Sequence, residues 1–240
     1  MLKLNLQNFK TLIKKGTVNY TIDNVKLTLS PDFATTSMRG GNLISIVNVP
    51  NSIITGLKDE IDLCFVNPLV AVLPYLDVFT SNEVDVKVET GHLEIVESPY
   101  TAKLILRSEH VITSFDSDRK RNFDYFSFIN MNENLVEFVD RTKRVSAQSG
   151  KIYFGTRGGY LYIRVGSDQD ELNSEIMLNL VECNFKDIEL KFDFKVFMNL
   201  FSILDNNFRI SFGYVDDQEI GLIYTEKSDG SEMYYMMSRM

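Results

Sequence analysis

The 240-residue sequence contains only two cysteines and two histidines. Cys64 and Cys183 each lie in an apolar, strand-like run, and they form no C-x-x-C pair, so we expect two reduced and buried thiols. His92 and His110 are too few for an all-histidine metal site, and no carboxylates stand at ligand spacing from them. The sequence therefore predicts no metal centre.

Long hydrophobic runs are also absent. The longest apolar stretches, such as LVAVLPYL at residues 69–76, fall far short of the roughly 20 residues that a membrane helix needs. The N-terminal stretch MLKLNLQNFKTLIKKG has a polar residue at every second or third position, unlike the continuous apolar segment of a secretory signal. We therefore expect a cytoplasmic protein that makes no membrane contact.

Catalytic motifs are missing as well. The sequence has no G-x-S-x-G nucleophile elbow, no Walker phosphate loop, no dinucleotide-binding fingerprint and no H-E-x-x-H helix. Its carboxylates are scattered through strands and loops. These absences predict a protein that is not an enzyme, with no catalytic residues and no cofactor.

Alternating apolar and polar residues are abundant, and such alternation is typical of half-buried strands. Only a few short segments have helical spacing, among them Leu135, Phe138 and Val139. The fold class is therefore α+β and rich in strands. The clearest alternating runs are VKLTL (25–29), VDVKV (84–88), KIYF (151–154) and FRISF (208–212).

The two halves of the chain share one pattern at an offset of 127 residues. IDLCFVNPLVAVLPYL, which begins at Ile61, aligns with IELKFDFKVFMNLFSI, which begins at Ile188, and the same offset pairs Val25 with Ile152. One register over some 65 positions indicates a duplicated unit of strands and helices.

A polar connector separates the two predicted units. Residues 110–124, HVITSFDSDRKRNFD, interrupt the pattern with serine, aspartate, arginine and lysine. We therefore predict a first domain over residues 1–109, a connector over 110–124 and a second domain over 125–240.

Four stretches carry a family resemblance: NFKTLIKKGTVNYTIDN, IDLCFVNPLVAVLPYLDVFTSNEVDVKVETGHLEIVES, LKFDFKVFMNLFSILDNNFRISFGYVDD and EMYYMMSRM. In their order and pattern they resemble the sliding clamps of tailed bacteriophages and, more distantly, proliferating cell nuclear antigen, over essentially the whole chain. The resemblance implies a DNA-clamp fold of two similar strand-rich domains with two helices each. The implied function is that of a processivity factor, which encircles duplex DNA and tethers the replicative polymerase.

The resemblance also implies a set of partners. A ring of six such domains needs three copies of a two-domain chain, so a cyclic homotrimer is expected. The other implied partners are double-stranded DNA, held through the ring without sequence preference, a DNA polymerase and an ATP-dependent clamp loader, in a phage replicating its DNA. The alternative left open is a β-rich viral structural or transcription-regulatory protein that keeps the clamp-like fold without encircling DNA.

The net charge of −8, from 25 basic and 33 acidic residues, excludes a uniformly basic DNA-binding surface. A ring can still be basic on its inner wall, because charges beyond about 10 Å are screened. Helices line the hole in clamps, so we looked for cations on the non-core faces of the predicted helices. The predicted DNA-binding residues are Lys10, Lys14 and Lys15 on the first helix, Arg141, Lys143 and Arg144 on its equivalent, and Lys195 at the start of the last helix.

Two reservations apply to this inner wall. Residues 68–77 supply no cation, and Pro74 should kink the helix there. Each lysine taken alone also fits a solvated helix face.

Partners of the resembling clamps insert apolar anchors into a pocket between the domains, beside the connector and the C-terminal tail. The candidate lining residues are Met38, Leu43, Phe115, Phe123, Tyr235 and Met237. For the tail, the alternative is a half-buried last strand with alternating burial. The basic run at residues 118–121 fits a solvated loop, and the Arg-Gly-Gly triplets that begin at Arg39 and Arg157 fit turns, where glycine supplies a positive φ.

Overall fold

The computed structural model of this chain describes residues 2–114, 125–131, 133–166, 175–184, 186–215 and 220–238. The chain divides into two compact units, residues 1–119 (unit 1) and 120–240 (unit 2). No helix in the described ranges is long and apolar enough to cross a membrane.

Unit 1 contains nine strands and three short or medium α-helices in its described part. Its elements are β1 (Leu2–Asn5), α1 (Leu6–Gly16), β2 (Asn24–Leu29), β3 (Phe33–Gly40), β4 (Leu43–Pro50), β5 (Ile54–Thr55), β6 (Ile61–Val66), α2 (Pro68–Ala71), α3 (Leu73–Leu76), β7 (Glu83–Glu89), β8 (His92–Glu97) and β9 (Tyr100–Ile105). A 3-10 turn follows at Glu109–Val111.

In its described part, unit 2 repeats this order except that β5 has no separate counterpart and a single helix takes the place of α2 and α3. Its described elements are β10 (Tyr125–Asn130), α4 (Glu133–Ser149), β11 (Lys151–Arg157), β12 (Tyr160–Gly166), β13 (Glu175–Glu182), β14 (Ile188–Asp193), α5 (Phe194–Phe201), β15 (Phe208–Val215), β16 (Ile220–Lys227) and β17 (Glu232–Met237).

Each unit has two layers of antiparallel strands. In unit 1, one layer has the order β4-β3-β2-β6 and the other has the order β5-β1-β7-β8-β9. In unit 2, the corresponding orders are β13-β12-β11-β14 and β10-β15-β16-β17. We call the first of each pair the helix-side sheet, because α1 contacts β2, β3 and β4 while α5 contacts β11 and β14.

The offset of 127 residues that the sequence indicates recurs in the element boundaries. It carries the start of α1 to the start of α4, the start of β2 to that of β11, and both ends of β6 to those of β14. The predicted duplication is therefore confirmed for the helices and the helix-side sheets.

The alternation in the strands explains the two cores. In β2, Val25, Leu27 and Leu29 are buried while the residues between them are only half-buried. In unit 1, Phe9 of α1 meets Phe65 of β6 edge to face, with ring centroids 6.1 Å apart. Such aromatic pairs add about 1 kcal/mol to the burial of their apolar area.

Unit 2 fills the same place with more aromatic rings. Phe154 of β11 lies 5.9 Å from Phe192, 5.7 Å from Phe197 of α5 and 6.3 Å from Phe212 of β15, measured between ring centroids. Phe154 therefore ties the helix and both sheets of unit 2 together.

The predicted kink at Pro74 is present as a break. The segment splits into α2 and α3 around Val72, whose φ of −122° and ψ of −58° leave the helical region. Pro74 has no N–H to donate to the carbonyl of Val70, so an unbroken helix would lack that bond. The equivalent helix α5 contains no proline and runs without a break.

One of the two cysteine predictions needs correction. Both thiols are free, and Cys64 is buried on β6, but Cys183 is only half-buried. Cys183 lies just beyond the end of β13, where its N–H donates to the carbonyl of Gly159 in a hairpin turn. Its apolar neighbours in the sequence therefore do not enclose it.

Candidate nucleic-acid and partner interfaces

Helix α1 presents the first group of predicted DNA-binding residues. It begins at the N-cap Asn5, whose side-chain oxygen accepts from the N–H of Asn8 at 2.9 Å. Its apolar stripe is buried, which leaves Lys10, Lys14 and Lys15 half-buried on the remaining surface. The helix thus brings these three lysines together as the sequence predicts.

The charge of Lys10 is already compensated. Its Nζ lies 2.6 Å from Oδ1 of Asp77, the residue that caps the C-terminus of α3. By contrast, Lys14 has no ion pair among the described residues. Lys14 and Lys15 also occupy the last turn of α1, where cations stabilise the helix macrodipole. The C-terminal turn of α1 should therefore attract a phosphate more strongly than the rest of the helix does.

Helix α4 presents the second group on a surface of mixed charge. Its cations Arg141, Lys143 and Arg144 are exposed, but three of the exposed residues in its first two turns are acidic. Arg141 also pairs with Glu137 one turn earlier. Among the described residues, neither Lys143 nor Arg144 forms an ion pair. The acidic residues of the early turns are Glu133, Glu137 and Asp140.

Lys195 is exposed at the second position of α5. Asp193, two residues earlier, caps the helix by accepting from the N–H of Val196 at 3.1 Å. A cation at a helix N-terminus meets the positive end of the macrodipole. Lys195 is therefore the least favourably placed of the seven predicted cations, and α2 and α3 supply none.

Two of the predicted partner-binding residues lie below the surface. Met38 on β3 and Leu43 on β4 both have a relative exposure of 0%. They follow the inward face of their strands, so neither side chain is available at the surface of unit 1 for a partner to contact. Phe115, Phe123 and the basic run at 118–121 lie outside the described residues.

The other two, Tyr235 and Met237, are half-buried on one face of β17. Tyr234 and Met236 alternate with them and are fully buried. The Tyr235 ring packs on Tyr224 of β16, with centroids 4.8 Å apart, and burial raises the pKa of both hydroxyls. The alternating last strand is thus present, and its outer face is aromatic and rich in methionine.

Two strand edges with exposed apolar residues were not predicted from the sequence. β9 is the edge strand of its sheet in unit 1 and exposes Tyr100 and Ile105, and β13 is an edge strand in unit 2 and exposes Ile176 and Met177. A strand's alternation shows which residues face the core, but it does not show whether a neighbour pairs with the strand. Because an unpaired strand edge is a template for pairing, these edges are candidate sites of contact with another chain.

Helices flank both of these edges. In unit 1, α3 contacts β9, and the α2–α3 segment exposes Leu69, Val70 and Tyr75. In unit 2, α4 contacts β13 and exposes Val136. Each edge strand thus has beside it a helix that exposes apolar side chains.

Comparison with solved structures decides the fold. PCNA from A. fulgidus, bound to the C-terminal region of FEN-1, matches with a TM-score of 0.67 at 12% identity, over 100% of this chain and 99% of that one. The DNA polymerase III subunit beta from Pseudomonas aeruginosa matches with a TM-score of 0.70 at 15% identity, over 99% of this chain and 66% of that one. The chain has the sliding-clamp fold.

A third match, PCNA from Thermococcus kodakaraensis, has a TM-score of 0.65 at 14% identity and covers 100% of both chains. The chain therefore spans the whole of these PCNA chains and about two thirds of the bacterial subunit. No protein-family model matches the chain, and no curated protein matches it in sequence. The predicted α+β clamp fold is confirmed, and the likeness to phage clamps stays a prediction from the sequence.

Proposed function

We propose that this chain is a DNA polymerase sliding clamp, which closes into a ring around duplex DNA and tethers the polymerase to it. One observation carries the proposal: each unit of this clamp-fold chain ends one sheet in an exposed apolar strand, β9 in unit 1 and β13 in unit 2. An exposed apolar edge is a site for pairing with another chain.

Head-to-tail contact suits these two edges. If β9 of one copy pairs with β13 of the next, every copy uses both edges and the assembly closes into a ring. The apolar side chains of the α2–α3 segment and of α4 extend the same contact. Since a clamp ring is expected to contain six units, three copies of this two-unit chain complete it.

DNA contact in such a ring is weak and independent of sequence. The exposed cations Lys143 and Arg144, together with Lys14, would meet phosphates, and each such contact adds to the salt dependence of binding. The acidic turns of α4 and the pairing of Lys10 with Asp77 limit the attraction. Weak contacts allow sliding, and the closed ring keeps the clamp on DNA.

Polymerase docking is the second part of the proposal. Tyr235 and Met237 offer an aromatic and flexible apolar surface, which suits the apolar anchors of more than one partner. A polymerase bound there stays at a high effective concentration near its template. Opening the ring would require an ATP-dependent loader, since the chain has no nucleotide-binding motif of its own.

Replacing Ile105 tests the ring directly. Ile105→Glu puts a charge at the C-terminal end of β9, where Ile105 is 63% exposed, so we expect a wild-type trimer and a monomeric variant in sedimentation velocity. Val111→Glu is the matched control, because Val111 is 57% exposed but lies in the 3-10 turn outside the edge strands.

A trimer that survives Ile105→Glu would contradict the assignment of the β9 edge. A wild-type monomer that binds linear and circular DNA equally would contradict the ring itself. That result would favour the alternative, a viral structural or transcription-regulatory protein that has a clamp-like fold and does not encircle DNA.

A further inference from the structure

Residues 106–114 of unit 1, here called the strap, cross the helix-side sheet after β9. The N–H of Leu106 donates to Gly91 at 2.8 Å, and the N–H of Arg107 donates to Cys64 of β6 at 2.9 Å. Farther along, Thr113 accepts from the N–H of Arg39 on β3 at 3.1 Å. The strap thus passes from β6 towards β3, in the order in which those strands lie.

A gap in the sheet explains why the strap lies there. β2 and β3 pair only at Thr28–Thr35 and Leu29–Ala34. Beyond those pairs, the N–H of Lys26 faces the sulfur of Met38 at 3.3 Å. The strap pairs with this open end of β3 through a bridge between Ser114 and Met38.

One charged contact holds the middle of the strap. Lys26 of β2 places its Nζ 2.8 Å from Oε1 of Glu109 in the strap and 3.0 Å from Oδ2 of Asp62 on β6. Thr28 fixes Asp62 by donating to it at 2.6 Å. The Lys26 side chain is only 20% exposed, whereas that of Glu109 is 62% exposed.

An apolar contact accompanies the ion pair. Ile112 is buried, while its neighbours Val111 and Thr113 are exposed. Without Glu109, Lys26 would keep Asp62 as its partner, so no buried cation would be stranded. The strap can therefore lose the Lys26–Glu109 ion pair without disturbing the sheet beneath it.

We propose that the Lys26–Glu109 ion pair is a latch that holds the strap on unit 1, and that breaking it loosens the strap while both sheets stay folded. Lys26 is then a positioning residue, which sets how often Met38 and the N–H of Arg39 become uncovered. This inference goes beyond the clamp function and does not depend on DNA or on a partner.

Amide hydrogen exchange of the full-length wild-type protein and of Glu109→Gln tests the latch. We expect the Arg39 amide to exchange about threefold faster in the variant, in line with a partly exposed ion pair. The Val47 amide, in the β4 strand that pairs with β3, should exchange at the wild-type rate. High salt should remove the difference, because the latch is electrostatic.

Two further variants separate the latch from a general loss of charge. Glu94→Gln breaks the Lys103–Glu94 ion pair on the other sheet of unit 1 and should leave the Arg39 amide unchanged. Lys26→Arg keeps the cation and should keep exchange within about twofold of the wild type. Unchanged exchange in Glu109→Gln, an equal effect of Glu94→Gln, or insensitivity to salt would overturn the proposal.

Discussion

The helix-side sheets of the two units have the same strand order but differ in how many residue pairs join their two middle strands. β11 and β12 of unit 2 pair at five successive positions, from Tyr153–Arg164 to Arg157–Tyr160. The equivalent β2 and β3 of unit 1 pair at two positions, and the strap takes up the open end. A shared hydrophobic pattern thus fixes the order of the strands, while individual ladder pairs are free to diverge.

The two sheets also differ around one equivalent carboxylate. Asp62 in unit 1 and Glu189 in unit 2 are related by the offset of 127 residues. Asp62 meets Lys26 on the neighbouring strand, whereas Glu189 meets Arg164 one strand farther away and also accepts from the hydroxyl of Tyr162 at 2.6 Å. The cation of unit 1 bridges the sheet and the strap, whereas the cation of unit 2 pairs with Glu189 and Glu175 within its sheet.

The second sheets differ on their outer faces. In unit 1 this face carries ion pairs, such as Lys3–Asp85 at 2.8 Å and Lys103–Glu94 at 3.3 Å. In unit 2 it carries the Tyr224–Tyr235 pair, with Met237 on the same strand face. The unit 2 face also carries the Arg209–Glu226 ion pair at 3.5 Å, and what distinguishes it is its tyrosine and methionine side chains, which suit apolar docking.

Replacing Gly155 of unit 2 by the residue at the equivalent position of unit 1 should have the largest effect on the free energy of unfolding. Gly155 is equivalent to Thr28, but a Cβ at Gly155 would lie 2.5 Å from the carbonyl oxygen of Ile188 and 2.7 Å from the hydroxyl of Tyr162. We expect Gly155→Thr to lower the free energy of unfolding by about 3 kcal/mol or more, measured in urea.

Gly221→Ala is the control for this clash. Its new Cβ would meet the end of the flexible Leu190 side chain, which can rotate away, so we expect a loss of about 1 kcal/mol. Equal losses in the two variants would show that the backbone of β14 does not hold Gly155 in place.

Neutralising the two equivalent carboxylates should produce the next largest effect. The side chain of Arg164 is 11% exposed and lies 4.0 Å above the Tyr153 ring, and Glu189→Gln removes the nearer of its two carboxylate partners, the other being Glu175 at 3.5 Å. We expect a loss of about 2 kcal/mol in urea unfolding, below that of a fully unpaired buried charge, because Glu175 and the Tyr153 ring remain in contact with Arg164.

Asp62→Asn should cost less, about 1 kcal/mol, because Lys26 retains Glu109 in the strap. If Asp62→Asn proved more costly than Glu189→Gln, the strap would not compensate Lys26 as described.

The tyrosine pair should contribute a smaller coupling. We expect Tyr224→Ala and Tyr235→Ala to show a coupling free energy of about 1 kcal/mol in a double-mutant cycle of urea unfolding. Phe9→Ala combined with Tyr235→Ala, which pairs residues of different units, serves as the additive control. A coupling near zero would mean that the two rings pack independently.

The smallest expected effect concerns acid pH and a turn of unit 1. Hydrogen bonds from the Ser81 hydroxyl and from the N–H groups of Thr80 and Ser81 lower the pKa of Glu97. Its folded pKa lies below its unfolded pKa of about 4.3, so this stabilisation is present above that pH and is lost as the pH falls through the folded value.

Amide exchange at Thr80 and Ser81 measures this loss. After correction for intrinsic rates, protection in the wild type should fall with acidification, and in Glu97→Gln it should be low and independent of pH. A wild-type profile that stays flat would contradict the role of the carboxylate.

Much of the fold could be predicted from the sequence, because the core imposes the alternation of β2 and β11 and the repeat of Phe65 at Phe192. Pro74 gave the helix break through its missing N–H. The pair Arg141–Glu137 could also have been predicted, since residues four apart face each other on a helix. The burial of Met38 depends on a strand neighbour and on the strap, which local pattern does not specify.

Contacts between distant segments set the limits of prediction for the candidate site. Lys10 meets Asp77 across 67 residues, and no periodicity reveals that pair. The β9 and β13 edges depend on which strands lack a neighbour, and only the assembled sheets show this. The positions of the cations on the helices were therefore predictable from the sequence. The carboxylates that pair with them and the exposed apolar strand edges were not.

The most direct test of the clamp proposal is the fraction of labelled protein retained on nicked circular DNA after incubation with its loader and ATP, measured before and after the circle is linearised. A clamp should stay on the closed circle and be lost by sliding off once the DNA has ends. Retention that does not change when the circle is cut would contradict encirclement.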